Sequence, residues 1–131
     1  MVKNKLFMHR ADGFTLIEVL IAMSIVALLL AIALPQYFGS IAKSKDVVLQ
    51  ENLRVVRVVI DKYYGDKGKY PKTLDELVHE RYLRSLPIDP ITDSTNSWVL
   101  IQNTDAENPG IVDIKSGASG VNGNGISYSS M

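Results

Sequence analysis

At 131 residues the chain has room for one small domain plus whatever lies outside it. Its 14 Lys+Arg balance its 14 Asp+Glu, so it lacks the basic surplus of a nucleic-acid reader. With no cysteine and only two histidines, it excludes disulfides, thiolate metal sites, a cysteine nucleophile and a histidine-rich metal centre.

In chain order, residues 1–13 form a short basic leader, with Lys3, Lys5 and Arg10 against Asp12. Phe14 to Leu34 follows as 21 mostly apolar residues closed by Pro35, about the 20 needed to cross a bilayer core as a helix. The run exceeds a secretory signal's apolar core and no A-x-A-like site follows it. Basic residues ahead of a span place that end in the cytoplasm, so residues 36–131 are expected outside. Glu18 stands about one turn into the span, where an unpaired carboxylate is costly. It either snorkels to water or needs a positive partner from another chain.

Past Pro35 the helical period continues. Ile41, Val48, Val55, Val59 and Tyr63, with Leu49, Leu53, Val56 and Ile60, form one wide apolar stripe. Lys43, Lys45, Asp46, Glu51, Arg54, Arg57, Asp61 and Lys62 fill the other side. The pattern predicts one helix from Phe14 to Tyr64, bent or locally unwound at Pro35, with Gly39 a second weak point. At about 1.5 Å per residue it would run roughly 75 Å. Gly65-Asp66-Lys67-Gly68 should stop it.

Thr73 followed by Glu76 is a capping-box pattern for a short helix to Tyr82. Leu86-Pro-Ile-Asp-Pro90 reads as an irregular connector. Trp98 to Gln102 and Gly110 to Lys115 read as two strands joined by the loop 103–109. Ser116 to Gly125 is a Gly/Ser/Asn loop, and Ile126 to Tyr128 a tail able to pack back.

No catalytic constellation emerges. His9 lies in the leader and His79 reads as a solvated residue on the short helix. Asp75 with Glu76, and Asp61 with Asp66, read as cap and surface charges. Tyr63, Tyr64 and Tyr70 read as core aromatics around the helix end, with surface residues at a subunit contact as the alternative, and Val55, Val59, Tyr63 and Trp98 as the heart of the core. Two classes remain: a subunit that polymerises, or a single-span protein whose outer domain binds a ligand as a monomer. A buried carboxylate beside a leader favours the first.

Gly13-Phe14-Thr15-Leu16-Ile17-Glu18, after a basic leader and before an apolar span, resembles the class III signal of type IV pilins and type II secretion pseudopilins. The resemblance implies cleavage by a prepilin peptidase between Gly13 and Phe14, N-methylation of Phe14, and an assembly role for Glu18. It extends through Tyr70-Pro71, Leu86-Pro-Ile-Asp-Pro90, Trp98 and Gly110 to Gly117, which are similar to the type II secretion major pseudopilins. It implies an α+β, type IV pilin-like fold: leader 1–13, transmembrane assembly segment 14–35 and periplasmic domain 36–131. The implied function is a non-enzymatic subunit of the periplasmic pseudopilus; the alternative is a type IV pilin for adhesion, motility or DNA uptake. Implied partners are copies of itself, the bacterial inner membrane, the prepilin peptidase, minor pseudopilins, and an inner-membrane platform with its ATPase. Pro35 would loosen the helix during assembly, with helical bonds lost within residues 27–34.

The resemblance also raises calcium, which major pseudopilins of this kind often hold in the C-terminal loop. Calcium takes six to eight oxygens, several from carboxylates. Ser116 to Gly125 contains no Asp or Glu. Asn122, Asn124 and Ser119 with main-chain carbonyls, and Asp113 upstream, are the donors it would have to use; no metal or other cofactor is assigned, and a glycine turn closed by Tyr128 is the competing reading.

Overall fold

The computed structural model describes residues 13–131. The basic leader residues Lys3, Lys5 and Arg10, and with them His9, lie outside the described residues. The chain falls into two units, one ending at Phe38 and the other spanning Gly39–Met131.

Helix α1 covers Leu16–Lys67 and is assigned as continuous helix through Pro35. The local unwinding expected at that proline is therefore absent from the single subunit. A proline within a helix removes one N–H and crowds the carbonyl four residues back, yet helix continues on both sides of it here. The helix also runs past Gly65 and stops where Gly68 turns left-handed at φ 68°. There the Gly68 N–H still reaches the Tyr64 carbonyl at 2.8 Å. A single helical glycine only lowers propensity, whereas a residue that needs positive φ ends the helix.

In the second unit α1 buries Leu49, Leu53, Val56, Ile60 and Tyr63, a row at steps of four and three. The stripe is narrower than the sequence suggested. Val48 and Val55 are exposed and Val59 is half-buried. Val55 thus drops out of the expected core, while Tyr63 and Trp98 stay in it.

Helix α2, Leu74–His79, closes over this row with Leu74 and Leu77. Thr73 caps it, its side chain accepting the Glu76 N–H at 3.2 Å. Glu76 does not complete the reciprocal box. Its carboxylate accepts the Lys72 N–H at 2.7 Å and the Tyr63 hydroxyl at 2.7 Å. The helix ends short of Tyr82 because Arg81 adopts φ 63°, and the Tyr82 N–H turns back to the Leu77 carbonyl.

Strands β1, Val99–Gln102, and β2, Ile111–Lys115, pair antiparallel with Leu100 opposite Ile114 and Gln102 opposite Ile111. An irregularity at Ile101/Gln102 gives β2 one extra residue. Three positions apart, Ile111 and Ile114 would face opposite ways in a regular strand. The extra residue lets both sit in the core at 0% exposure.

The connector between α2 and β1 is organised by Asp89, which is wholly buried. Its carboxylate accepts the Ile91 N–H at 2.8 Å and the Ser116 hydroxyl at 2.6 Å. Ser116 in turn accepts the Ala118 N–H, so this aspartate ties the proline-rich connector to the segment after β2. Buried carboxylates persist when donors surround them, as here.

Candidate functional site

The first turn of α1 carries the residues that the sequence singles out. Phe14 is 82% exposed just before the helix. The Thr15 hydroxyl accepts the Glu18 N–H at 3.3 Å, and the Thr15 carbonyl accepts the Val19 N–H at 3.2 Å. Thr15 therefore starts the helix, and Glu18 is the acid of its first turn. Anions are favoured there because the first N–H groups point outward unpaired. The sequence carries the signal in Thr-Leu-Ile-Glu, a capping-box spacing that the search for a buried charge passes over. Gly13 and Phe14 thus lie just ahead of the helix and Glu18 in its first turn, while Pro35 lies well along the same helix.

From Leu16 to Leu34 the large apolar side chains are exposed on every side of the helix. The segment is long and apolar enough to cross a membrane, and none of it is buried within the described residues. Its one serine is self-satisfied: the Ser24 hydroxyl donates to the Leu20 carbonyl at 2.7 Å. A hydroxyl bonded back to its own helix needs no water, which suits a hydrocarbon setting.

Asp113 and Asn122, two of the calcium candidates, each have protein partners of their own. Asp113 lies on β2, where its Oδ1 accepts the Arg57 Nε–H at 2.7 Å. Asn122 and Asn124 lie in the C-terminal loop, where the Asn122 Oδ1 accepts the Asn124 and Ile126 N–H groups, each at 2.9 Å. Among the described residues no group of three or more His, Asp or Glu is placed to hold a metal.

Other polar groups hold the fold together. The Tyr63 phenol donates to Glu76, and that bond to a carboxylate pushes it up to about 12. Glu76 is held below the usual carboxylate range, first by the Lys72 N–H and then by Tyr63. Tyr82 donates to Asp66 at 2.8 Å, which raises its own phenol. His79 is exposed, as the sequence suggested. Tyr64 and Tyr70 stack with centroids 4.4 Å apart, so of the three tyrosines only Tyr63 is fully core.

Residues 8–34 match the family profile described as the prokaryotic N-terminal methylation motif, which takes in Gly13, Phe14 and Glu18. The chain is 30% identical over 98 aligned positions to a type II secretion system core protein G of Pseudomonas aeruginosa, covering 63% of this chain and 69% of that one. That share of the chain exceeds the leader and α1 together, so the likeness takes in part of the small domain. The chain belongs to the type II secretion core protein G family. Within the wider group, it is 32% identical over 71 positions to the type IV major pilin protein PilA of Myxococcus xanthus, covering 54% of this chain and 32% of that one. It is also 32% identical over 80 positions to competence protein ComGC of Halalkalibacterium halodurans, covering 61% and 78%. No solved structure matches the chain significantly. Membership accords with an α+β pilin-like fold of a long apolar-headed helix and a small domain with a two-stranded sheet. The resemblance drawn from Gly13 to Glu18 is thereby borne out at family level.

Proposed function

We propose that this chain is the major structural subunit of a type II secretion pseudopilus, a fibre built by stacking copies in the periplasm. The carrying observation is the segment Leu16 to Leu34, apolar and exposed on all sides, with a single acid in its first turn. Such a helix is stable only in lipid or among its own kind. Before assembly, residues 14–35 anchor the chain in the inner membrane with the N-terminus cytoplasmic and the domain periplasmic. The prepilin peptidase cuts between Gly13 and Phe14 and methylates the new amine.

Glu18 then pairs with the Phe14 amine of an adjacent subunit. In hydrocarbon a lone carboxylate and a lone ammonium are each costly, and pairing offsets both. The pair also fixes the register of one subunit on the next. Exchanging lipid for helix–helix contacts is not strongly downhill. A platform protein driven by a cytoplasmic ATPase supplies the energy, and minor pseudopilins are further partners. The helix loosens before Pro35, within residues 27–34, as the subunit enters the fibre. The chain performs no catalysis and engages no nucleic acid.

The type IV pilin alternative rests on the pilin relatives, which match the chain at similar identity. Complementation separates them, since a secretion subunit restores export of secreted enzymes and a pilus subunit restores surface fibres. The assembly claim is tested by two substitutions. Glu18→Gln keeps the capping-box side chain but removes the charge, and Glu18→Ala removes both. Both are expected to insert in the membrane and fail to form fibres. Fibres from Glu18→Gln would overturn the charge pairing.

A further inference from the structure

The C-terminal segment offers a poor home for a cation and a good one for helix α1. Residues 116–131 contain no charged side chain, although one residue in five of the chain is charged. The loop that would hold calcium therefore supplies only amide, hydroxyl and main-chain oxygens, and the best of these are taken. The Asn122 side-chain oxygen accepts two main-chain N–H groups, at 2.9 Å each. The nearest acid in sequence, Asp113, accepts Arg57 Nε at 2.7 Å and its neighbour's N–H at 2.8 Å through the same oxygen. Arg57 also donates to the main-chain oxygens of Ile114 at 3.0 Å and Met131 at 2.9 Å. A guanidinium already binds these oxygens, and it would repel a dication brought to them.

A second tie comes from farther up α1. Asp46 Oδ1 accepts the Tyr128 hydroxyl at 2.6 Å, and its Oδ2 accepts the Gly123 N–H at 3.2 Å. The two bonds span 82 and 77 positions of sequence and hold the segment at Tyr128 and Gly123. Bonds in which one partner is ionised are roughly twice as strong as neutral ones. Asp46 raises the Tyr128 phenol in consequence, so the donor proton stays on Tyr128.

We propose that the C-terminal segment is closed by α1 itself, through Asp46 on the loop and Arg57 on the final residues, and that this closure is independent of calcium. The two helix residues fix the segment at separate points, Asp46 through its donors and Arg57 through its terminal acceptors. The inference concerns the subunit's own folding and stands apart from the assembly role of Glu18.

Amide hydrogen exchange on the full mature chain in detergent micelles tests it, with excess EDTA in one arm and millimolar calcium chloride in the other. Exchange of residues 120–128 in the wild type is expected to agree between the arms within about twofold. Asp46→Asn and Tyr128→Phe are each expected to speed it by about tenfold, equally in both arms. Clear slowing of wild-type exchange by calcium would overturn the proposal. So would unchanged exchange in both variants. Should Asp46→Asn fail to fold, Tyr128→Phe removes a single oxygen and decides the question.

Discussion

Leu28 and Leu53 are the same residue type on the same helix, yet Leu28 is 64% exposed and Leu53 is 2% exposed. Around Leu28 nearly every position is apolar, so no single face is marked for burial. Around Leu53 the apolar positions fall at steps of three and four, and the domain packs onto that one row. One helix thus carries two different instructions. An all-round apolar surface asks for a surrounding solvent of lipid or other helices, and a striped one asks for a lid made of its own chain.

The sharpest way to break this comparison is to truncate both leucines. Leu53→Ala should destabilise the domain by about 2–5 kcal/mol, because it opens a cavity in a packed core. Leu28→Ala should change domain unfolding by less than about 0.5 kcal/mol. Denaturant unfolding of the full chain in micelles, followed by circular dichroism, would show it. Equal effects would mean that the two units do not unfold separately.

Gly117→Ala comes next. A Cβ there would collide with the Ser97 main-chain carbonyl, which has no flexible end to move aside. The expected loss is about 1–3 kcal/mol, read as a lower melting temperature. Gly13→Val, by contrast, meets nothing near it among the described residues and should leave melting unchanged. Its effect should fall on processing, with mass spectrometry finding an uncut precursor.

Glu76 sharpens the picture through pH. Its folded pKa lies below its unfolded one, so it stabilises the domain above the ordinary carboxylate range. That contribution is lost as the pH falls through its folded value. Tyr63 works in the other direction. Its phenol is raised from 10 to about 12, so its contribution is whole below pH 10 and fades as the pH climbs towards 12. Glu76→Gln should cost about 1 kcal/mol near neutrality and flatten both ends of the stability profile. The smallest effect is expected of Val55→Thr, within about 0.5 kcal/mol, because that side chain faces outward.

Val55 also marks the limit of reading the sequence alone. The period places a helix and an apolar side but not the width of the strip that the domain covers, so Val55 and Val59 look alike on paper. The span, the Thr73 cap and both strands are legible because each depends on neighbours in sequence. Gly13, Phe14 and Glu18 are legible for the same reason. Asp46 and Arg57 are not, since their partners lie dozens of positions away and charges are ordinary on any helix flank. Asp89 is visible only as part of a proline-rich run, and its burial depends on Ser116 folding back over it. The joint burial of Ile111 and Ile114 needs an irregularity in the pairing that no strand pattern announces.

Trp98 is the chain's only tryptophan, 8% exposed, with its indole N–H donating to the Pro87 carbonyl at 2.8 Å. Intrinsic fluorescence from this protein therefore has one address. Its emission reports whether the proline-rich connector is seated on the strand, and it sits in the unit that begins at Gly39. An optical signal that is blind to the apolar half of α1 and alert to the domain can report, without a label, whether the domain stays folded in micelle and in fibre.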